Sequence, residues 1–296
     1  MILDPRENAG RPGGSAMVCG IIGQPVGHSL SPWMHRLFAE ESGLDFLYAP
    51  FPVPENRLEE ALCGLQALGI RGINVTVPYK EAVLPFLADC SPTATAIGAV
   101  NTLIFSETGI FGDNTDATGF FRAINRHAGT GWHGQPALVI GAGGASRAIV
   151  HALASGNAAP IYLANRSAER ATILARDFPH LPIRPIPLTT RDLTPVLRQT
   201  VLVVNASSRG LKGEGHPELD LGLLSESGIV CDIVYRPLET PLLAAARANG
   251  RIAVDGLGML VEQGAESFRL WTGVSPDTAL VEDRLRLWLS TQKTTL

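Results

Sequence analysis

The sequence predicts an α/β fold in two domains, and three observations carry that expectation. Short apolar runs of β character alternate with stretches of helical spacing from residue 18 onward. A glycine turn, Gly141-Ala142-Gly143-Gly144, stands between one such run and an apolar helical stretch. The 296 residues suffice for two domains at roughly 100–200 residues each.

The elements follow in order. Residues 1–16, with Pro5, Gly10, Pro12, Gly13 and Gly14, lack the apolar stretch of a secretory signal and read as a flexible leader. A β run at 18–22 ends at Gly23. Ser31 reads as a helix N-cap with Pro32 at the first helical position, Trp33, Leu37 and Phe38 follow at helical spacing, and Gly43 stops the helix. A strand at 46–51 leads to a helix whose apolar face is Leu58, Leu62, Leu65 and Leu68, ended by Gly69. Residues 73–77 form a strand closed by Pro78, Ser91-Pro92 opens a short helix, and 100–105 is another strand. After Asp116, Phe120, Phe121 and Ile124 mark a connecting helix. Strands at 137–140, 161–164, 201–204 and 229–234 then alternate with helices in a largely parallel arrangement. From Gly256 the chain reads as helical, with Met259, Leu260, Phe268 and Leu270, then Leu280, Leu285, Leu287 and Leu289, as its apolar positions.

Composition excludes several classes. Hydrophobic residues at 45% against 18% charged describe a folded globular chain, and no run of about 18 apolar residues offers a membrane span. A net charge of −4 leaves no basic surplus for nucleic acid or an anionic membrane. Cys19, Cys63, Cys90 and Cys231 form no C-x-x-C pair, so no metal knuckle or redox dithiol is visible and a reducing cytoplasm is the expected compartment. Of 24 basic residues only Lys80, Lys212 and Lys293 are lysines. A lysine retained in so arginine-rich a chain marks a place where a compact, deprotonatable ammonium is useful, which singles out Lys80.

The strand, glycine turn and helix start at Gly141-Ala142-Gly143-Gly144-Ala145-Ser146 give the context of a dinucleotide fingerprint, with Ser146 in place of the third glycine. Gly141 allows the tight turn, and Gly143 lets backbone amides approach a pyrophosphate at the positive end of the helix. The next strand ends in Asn165-Arg166-Ser167, with Arg170 one turn on and no carboxylate at the tip. Two arginines and a hydroxyl suit the 2′-phosphate of NADP, where a carboxylate would suit the ribose of NAD. In the N-terminal half stand Gly27-His28-Ser29-Leu30-Ser31-Pro32, then Gly72-Ile73-Asn74-Val75-Thr76-Val77-Pro78-Tyr79-Lys80, then Asn101-Thr102 and Asn114-Thr115-Asp116. Taken singly, Ser31 and Asp116 read as helix caps and Lys80 as a surface charge.

Together these segments resemble the shikimate dehydrogenase family. Its G-x-P-x-x-H-S-x-S-P, G-x-N-V-T-x-P-x-K, A-V-N-T, N-T-D, G-A-G-G-A, N-R-S/T, N-A-T/S-S and terminal G-x-x-M-L-x-x-Q patterns occur in order, the last as Gly256 to Gln263. Arg36 and Ala117 depart from the pattern, beside motif positions rather than on them. The resemblance implies that Ser29 and Ser31 hold a substrate carboxylate, that Thr76, Asn101, Asp116 and Gln263 hold ring hydroxyls, and that Tyr235 lies near the substrate. It implies Lys80 as the acid/base residue with Asp116 beside it. It places Gly141 to Ala145, Asn165, Arg166, Ser167, Arg170, Ala206, Ser207 and Gly256 on the NADP side. The implied fold is a discontinuous α/β substrate-binding domain, 17–116 with 256–296, and a Rossmann-like domain with a parallel sheet, 117–255, with substrate in the cleft between them. The implied reaction is NADPH-dependent reduction of 3-dehydroshikimate to shikimate, without a metal. A quinate or aminoshikimate paralogue, or a non-catalytic NADP-responsive binding protein, are the alternatives, and a homodimer is compatible with the resemblance.

Overall fold

The computed structural model describes residues 13–291. Most of the expected leader, 1–12, and Lys293 lie outside the described residues. At Gly13 the backbone N–H donates to the Asp45 carboxylate at 3.0 and 3.2 Å.

Within the described residues the chain forms two compact units, the first running to Thr115 and resuming over Gln263–Leu285, the second comprising Asp116–Glu262 and the chain from Arg286 on. In the first unit lie β1 (Met17–Gly23), α1 (Ser31–Ser42), β2 (Phe46–Pro52), α2 (Leu58–Ala67), β3 (Gly72–Val75), β4 (Asp89–Cys90), α3 (Pro92–Ile97), β5 (Thr102–Ser106) and β6 (Gly109–Asp113). Their sheet has the order β2-β1-β3-β5-β6-β4. It is mixed rather than largely parallel. β1 runs parallel to β2 and β3, whereas β5 is antiparallel to both β3 and β6. The short Ser106–Gly109 turn permits only a hairpin, since a parallel return needs a long crossover. Sequence reading missed β6, whose Gly109 and Gly112 weaken its β character.

Alternation along the strands sorts the side chains to two buried faces. Ile22, Ile73 and Val75 face Leu58, Leu62 and Leu65 of α2. Cys19, Ile21 and Tyr48 face the other way, with Trp271. Leu68, expected on the α2 face, is 79% exposed because the helix has already ended at Ala67. Pro50 and Pro52 are tolerated in β2 because it is an edge strand.

The second unit holds α4 (Asp116–Ala128), β7 (Ala137–Ile140), α5 (Gly144–Ser155), β8 (Ile161–Asn165), α6 (Ala168–Asp177), β9 (Ile183–Pro187), α7 (Thr190–Leu197), β10 (Leu202–Asn205), β11 (Ile229–Asp232), α8 (Pro241–Ala248) and β12 (Ile252–Val254). All six strands are parallel in the order β12-β11-β10-β7-β8-β9. That order is the doubly wound arrangement, and its direction of winding reverses between β7 and β10. The inner strands β7, β8, β10 and β11 are buried on both faces and therefore read as nearly continuous apolar runs, whereas the edge strands β9 and β12 are partly exposed.

The chain closes with α9 (Leu257–Thr272) and α10 (Thr278–Thr291). The division between units falls inside α9, beyond the expected boundary at Gly256, and the end of α10 goes with the second unit. There Arg286 holds the Asp255 carboxylate with contacts of 2.5 and 3.1 Å. Leu280 and Leu287, expected to be apolar contacts of α10, are exposed, and Leu285 is its buried leucine at that face.

Candidate active site

In the first unit the head of α1 carries the two serines. Ser31 is not the N-cap that the sequence suggested: it is the first helical residue, Leu30 occupies the cap in a helical conformation, and no side chain caps from there. The Ser29 hydroxyl instead accepts the Ser31 backbone N–H at 3.1 Å, satisfying one of the helix's orphan donors from just outside it. Ser31 is buried and Ser29 half-buried.

Past β3 the chain turns at Thr76, whose carbonyl accepts the Tyr79 N–H at 2.9 Å and whose own N–H bonds Ile22 at 3.0 Å. Tyr79 is buried, and its hydroxyl donates to the Val53 carbonyl at 2.6 Å. The next residue is Lys80, half-buried, whose carbonyl accepts the Val100 N–H at 2.7 Å. Asn101 follows Val100, so one backbone bond ties the lysine's turn to the residue before Asn101.

Asn101 is buried, and donor-only backbone groups fix its orientation. The Thr115 N–H points at Asn101 Oδ1 at 2.8 Å, which makes the other atom Nδ2. Nδ2 donates to Thr115 Oγ1 at 2.9 Å and to Gln263 Oε1 at 3.3 Å. Of the residues assigned to ring hydroxyls, the structure therefore brings Asn101 and Gln263 together directly. Behind them lies a polar layer that the sequence reading did not single out: Tyr48, Asn74, Thr102, Thr115 and Ser267. Ser267 sits one turn beyond Gln263 on α9 and donates to its carbonyl at 3.1 Å, so helical spacing from Gln263 was the available signal.

His35, four residues after Ser31, is fully buried in an aromatic cluster and stacks on Tyr48 with ring centroids 4.1 Å apart. Burial pushes its pKa down to about 3, with the nearby Asn74 carboxamide acting in the opposite direction. The ring is neutral, and neither nitrogen makes a hydrogen bond to the described residues.

In the second unit, Asp116 heads α4 and is buried. The glycine loop lies at the winding reversal, where open α/β sheets take ligands. Gly141 has φ +117°, and a Cβ there would lie 2.9 Å from the Ala206 carbonyl, so this glycine lets the loops after β7 and β10 touch. A Cβ on Gly143 would meet no protein atom, leaving the backbone at the head of α5 open to a ligand. The first turn of α5 carries no carboxylate. Ser146, in the third-glycine position, is fully buried and its hydroxyl accepts the Gly143 N–H at 3.3 Å, so it completes the helix start. These features fit a pyrophosphate.

At the end of β8, Arg166, Ser167 and Arg170 are exposed, and no carboxylate among the described residues pairs with either arginine. Asn165 stabilises the tip by donating to the Ser167 carbonyl at 2.9 Å. Ser207 is turned inward, its hydroxyl donating to Asn205 Oδ1 at 2.7 Å. Asn205 in turn donates to Asp232 at 2.9 Å, and Asp232 also receives Thr240 Oγ1 at 2.7 Å and the Val234 N–H at 3.1 Å. Burial raises the Asp232 carboxyl above its ordinary pKa against those donors. This clamp, missed in the sequence, holds the start of the segment that carries the half-buried Tyr235. Gly256 is required sterically, because a Cβ there would lie 2.1 Å from the Ile233 carbonyl oxygen.

Three family models match in order along the chain: the shikimate dehydrogenase substrate binding domain over residues 21–103, shikimate / quinate 5-dehydrogenase over 124–210, and the shikimate 5′-dehydrogenase C-terminal domain over 256–286. The chain is 45% identical over 278 residues to a shikimate dehydrogenase (NADP(+)) of Rhodospirillum rubrum, which covers 92% of this chain and 96% of that one. It is also 45% identical over 272 residues to one of Acidiphilium cryptum, covering 92% and 95%. Among solved structures, shikimate 5-dehydrogenase from Thermus thermophilus in complex with NADP(H) and shikimate shares 40% identity and a TM-score of 0.79, covering 92% of this chain and 99% of that one.

Proposed function

The chain belongs to the shikimate dehydrogenase family, and from that premise we propose how its own residues carry the reaction. It is an NADP-dependent oxidoreductase acting on a CH–OH group, interconverting 3-dehydroshikimate and shikimate in the route to the aromatic amino acids. The observation that carries the cofactor assignment is the glycine loop at the winding reversal beside a strand tip bearing Arg166 and no carboxylate.

Bound NADPH supplies the hydride to the ketone carbon. Gly141, Ala142, Gly143, Gly144 and Ala145 present the head of α5 to its pyrophosphate, and Arg166, Ser167 and Arg170 take its 2′-phosphate as charge-assisted donors, with Asn165 on the same side holding the tip that carries them. Ala206, Ser207 and Gly256 line the nucleotide side. Ser29 and Ser31 hold the substrate carboxylate, while Thr76, Asn101, Gln263 and Tyr235 orient the ring. Lys80 delivers a proton to the alkoxide oxygen that forms as hydride arrives, and Asp116 is assigned with it to the acid–base step. We place the enzyme in the cytoplasm, in line with the free thiols at Cys19, Cys63, Cys90 and Cys231, and as a homodimer.

Initial rates with shikimate and with quinate, each with NADP and with NAD, test this function. The expected result is the highest kcat/KM for shikimate with NADP. A higher value for quinate would move the chain to the quinate branch of the family, and light scattering reads the dimer.

A further inference from the structure

The Asn74 carboxamide is the hub of the buried polar layer in the first unit. Its nitrogen lies 3.1 Å from the Asn101 carbonyl, 3.2 Å from Thr102 Oγ1 and 2.9 Å from Ser267 Oγ. A backbone carbonyl can only accept, so that nitrogen assignment is forced, and the opposite atom, Oδ1, must accept. The Tyr48 hydroxyl donates to it at 2.7 Å. Thr102 and Ser267 extend the layer at 2.8 Å from each other, and each reaches toward Thr115, at 3.4 and 3.2 Å, which holds the Asn101 side chain.

We propose that Tyr48 is a positioning residue for substrate binding: its hydroxyl orients Asn74, and Asn74 sets the Asn101–Gln263 carboxamide pair. The inference rests on the assignment of that pair to the substrate ring. Tyr48 is suited to the task because its phenol is only 8% exposed and its ring lies flat on His35, at an interplanar angle of 12°. Burial holds the phenol well above its ordinary pKa, so the hydroxyl keeps its proton at neutral pH and donates. Without it, Asn74 Oδ1 is left buried with no donor, and rotating the carboxamide would set its oxygen against the Asn101 carbonyl.

The test is Tyr48→Phe, which removes the hydroxyl and keeps the ring on His35. KM for shikimate should rise roughly 5- to 50-fold, as expected for a buried acceptor left unpaired, while KM for NADP stays within about twofold. A purely structural defect would lower the active fraction, and with it kcat, without moving KM in the folded enzyme. The same substitution in a Gln263→Ala background should add less than about twofold, because the pair through which Tyr48 acts is already lost. If Gln263→Ala raises KM but Tyr48→Phe does not, the inference falls and the site assignment stands. If Gln263→Ala leaves KM unchanged, the assignment falls and takes the inference with it. Multiplicative effects in the double variant also overturn it. Should Tyr48→Phe fail to fold, Ser267→Ala removes another partner of Asn74, and an unchanged KM for shikimate there overturns the proposal.

Discussion

The Ser29 hydroxyl accepts the backbone N–H of Ser31 at 3.1 Å, so the two serines at the head of α1 are coupled before either meets a ligand. Both substitutions to Ala should raise KM for shikimate much more than they lower kcat, because a carboxylate that does not change during hydride transfer is held equally in ground and transition states. Ser29→Ala should also destabilise the protein by about 0.5–2 kcal/mol through loss of a cap-like bond. Thermal melts beside the kinetics separate the two effects, and an unchanged KM in both variants would move the carboxylate elsewhere.

Arg166→Ala should weaken NADP binding by roughly 10- to 150-fold, the range for a lost charge-assisted hydrogen bond, and leave NAD binding nearly unchanged. The reason is local: Arg166 is exposed just past the end of β8 and forms no ion pair with a carboxylate among the described residues. Titration of both nucleotides by fluorescence reads the difference. Equal losses would make Arg166 a structural residue.

Lys80→Ala should lower kcat by about 10²–10⁴-fold, the usual contribution of a general acid–base group, with NADP affinity preserved. The turn that carries it is held by the Tyr79 hydroxyl on Val53 and by the Val100 N–H on the Lys80 carbonyl, neither of which uses the lysine side chain. Its removal should therefore leave the turn folded, as a circular dichroism melt can check. Retention of more than about half of kcat would remove Lys80 from the proton step.

The inner parallel strands of the second unit are legible because burial on both faces produces apolar runs such as Ala137–Ile140 and, within β10, Leu202 to Val204. β9 escaped because Pro185 and Pro187 read as loop, and only its place at the sheet edge, which no local pattern reveals, makes them acceptable. β12, three residues long, offers too little pattern. The candidate site shows the same division. Lys80, Asn101 and the glycine loop sit in short contiguous motifs, whereas Tyr48 and Asn74 meet across 26 residues, and Asn74 and Ser267 across 193, through pairings that only the assembled sheet and α9 create. Ser31 carries the sequence signal of a cap, a serine followed by proline at the first helical position. The structure moves the cap-like hydroxyl two residues back, since Leu30 is already helical in conformation.

His35 gives the stability of the fold a pH dependence of known sign. Its ring contacts are Phe38, Phe46, Tyr48, Phe268 and Trp271, none of them a carboxylate, and burial pushes its pKa from 6.5 down to about 3. Well above pH 6.5 the imidazole is neutral in folded and unfolded chains alike, and the residue adds no slope. As the pH falls below 6.5, the unfolded chain takes up a proton that the folded chain refuses, so stability is lost progressively until the folded value near 3 is reached. Between pH 7 and pH 5 this one residue should cost about 2 kcal/mol of unfolding free energy. His35→Phe keeps an aromatic ring against Tyr48 and cannot titrate. Whatever constant difference in stability the substitution introduces, the gap between the wild-type and variant curves should shift by that amount in the variant's favour over the same interval. Urea melts of both proteins at several pH values measure it. Parallel curves would mean that His35 titrates normally in the folded protein, and the closed aromatic box around it would have to open in solution.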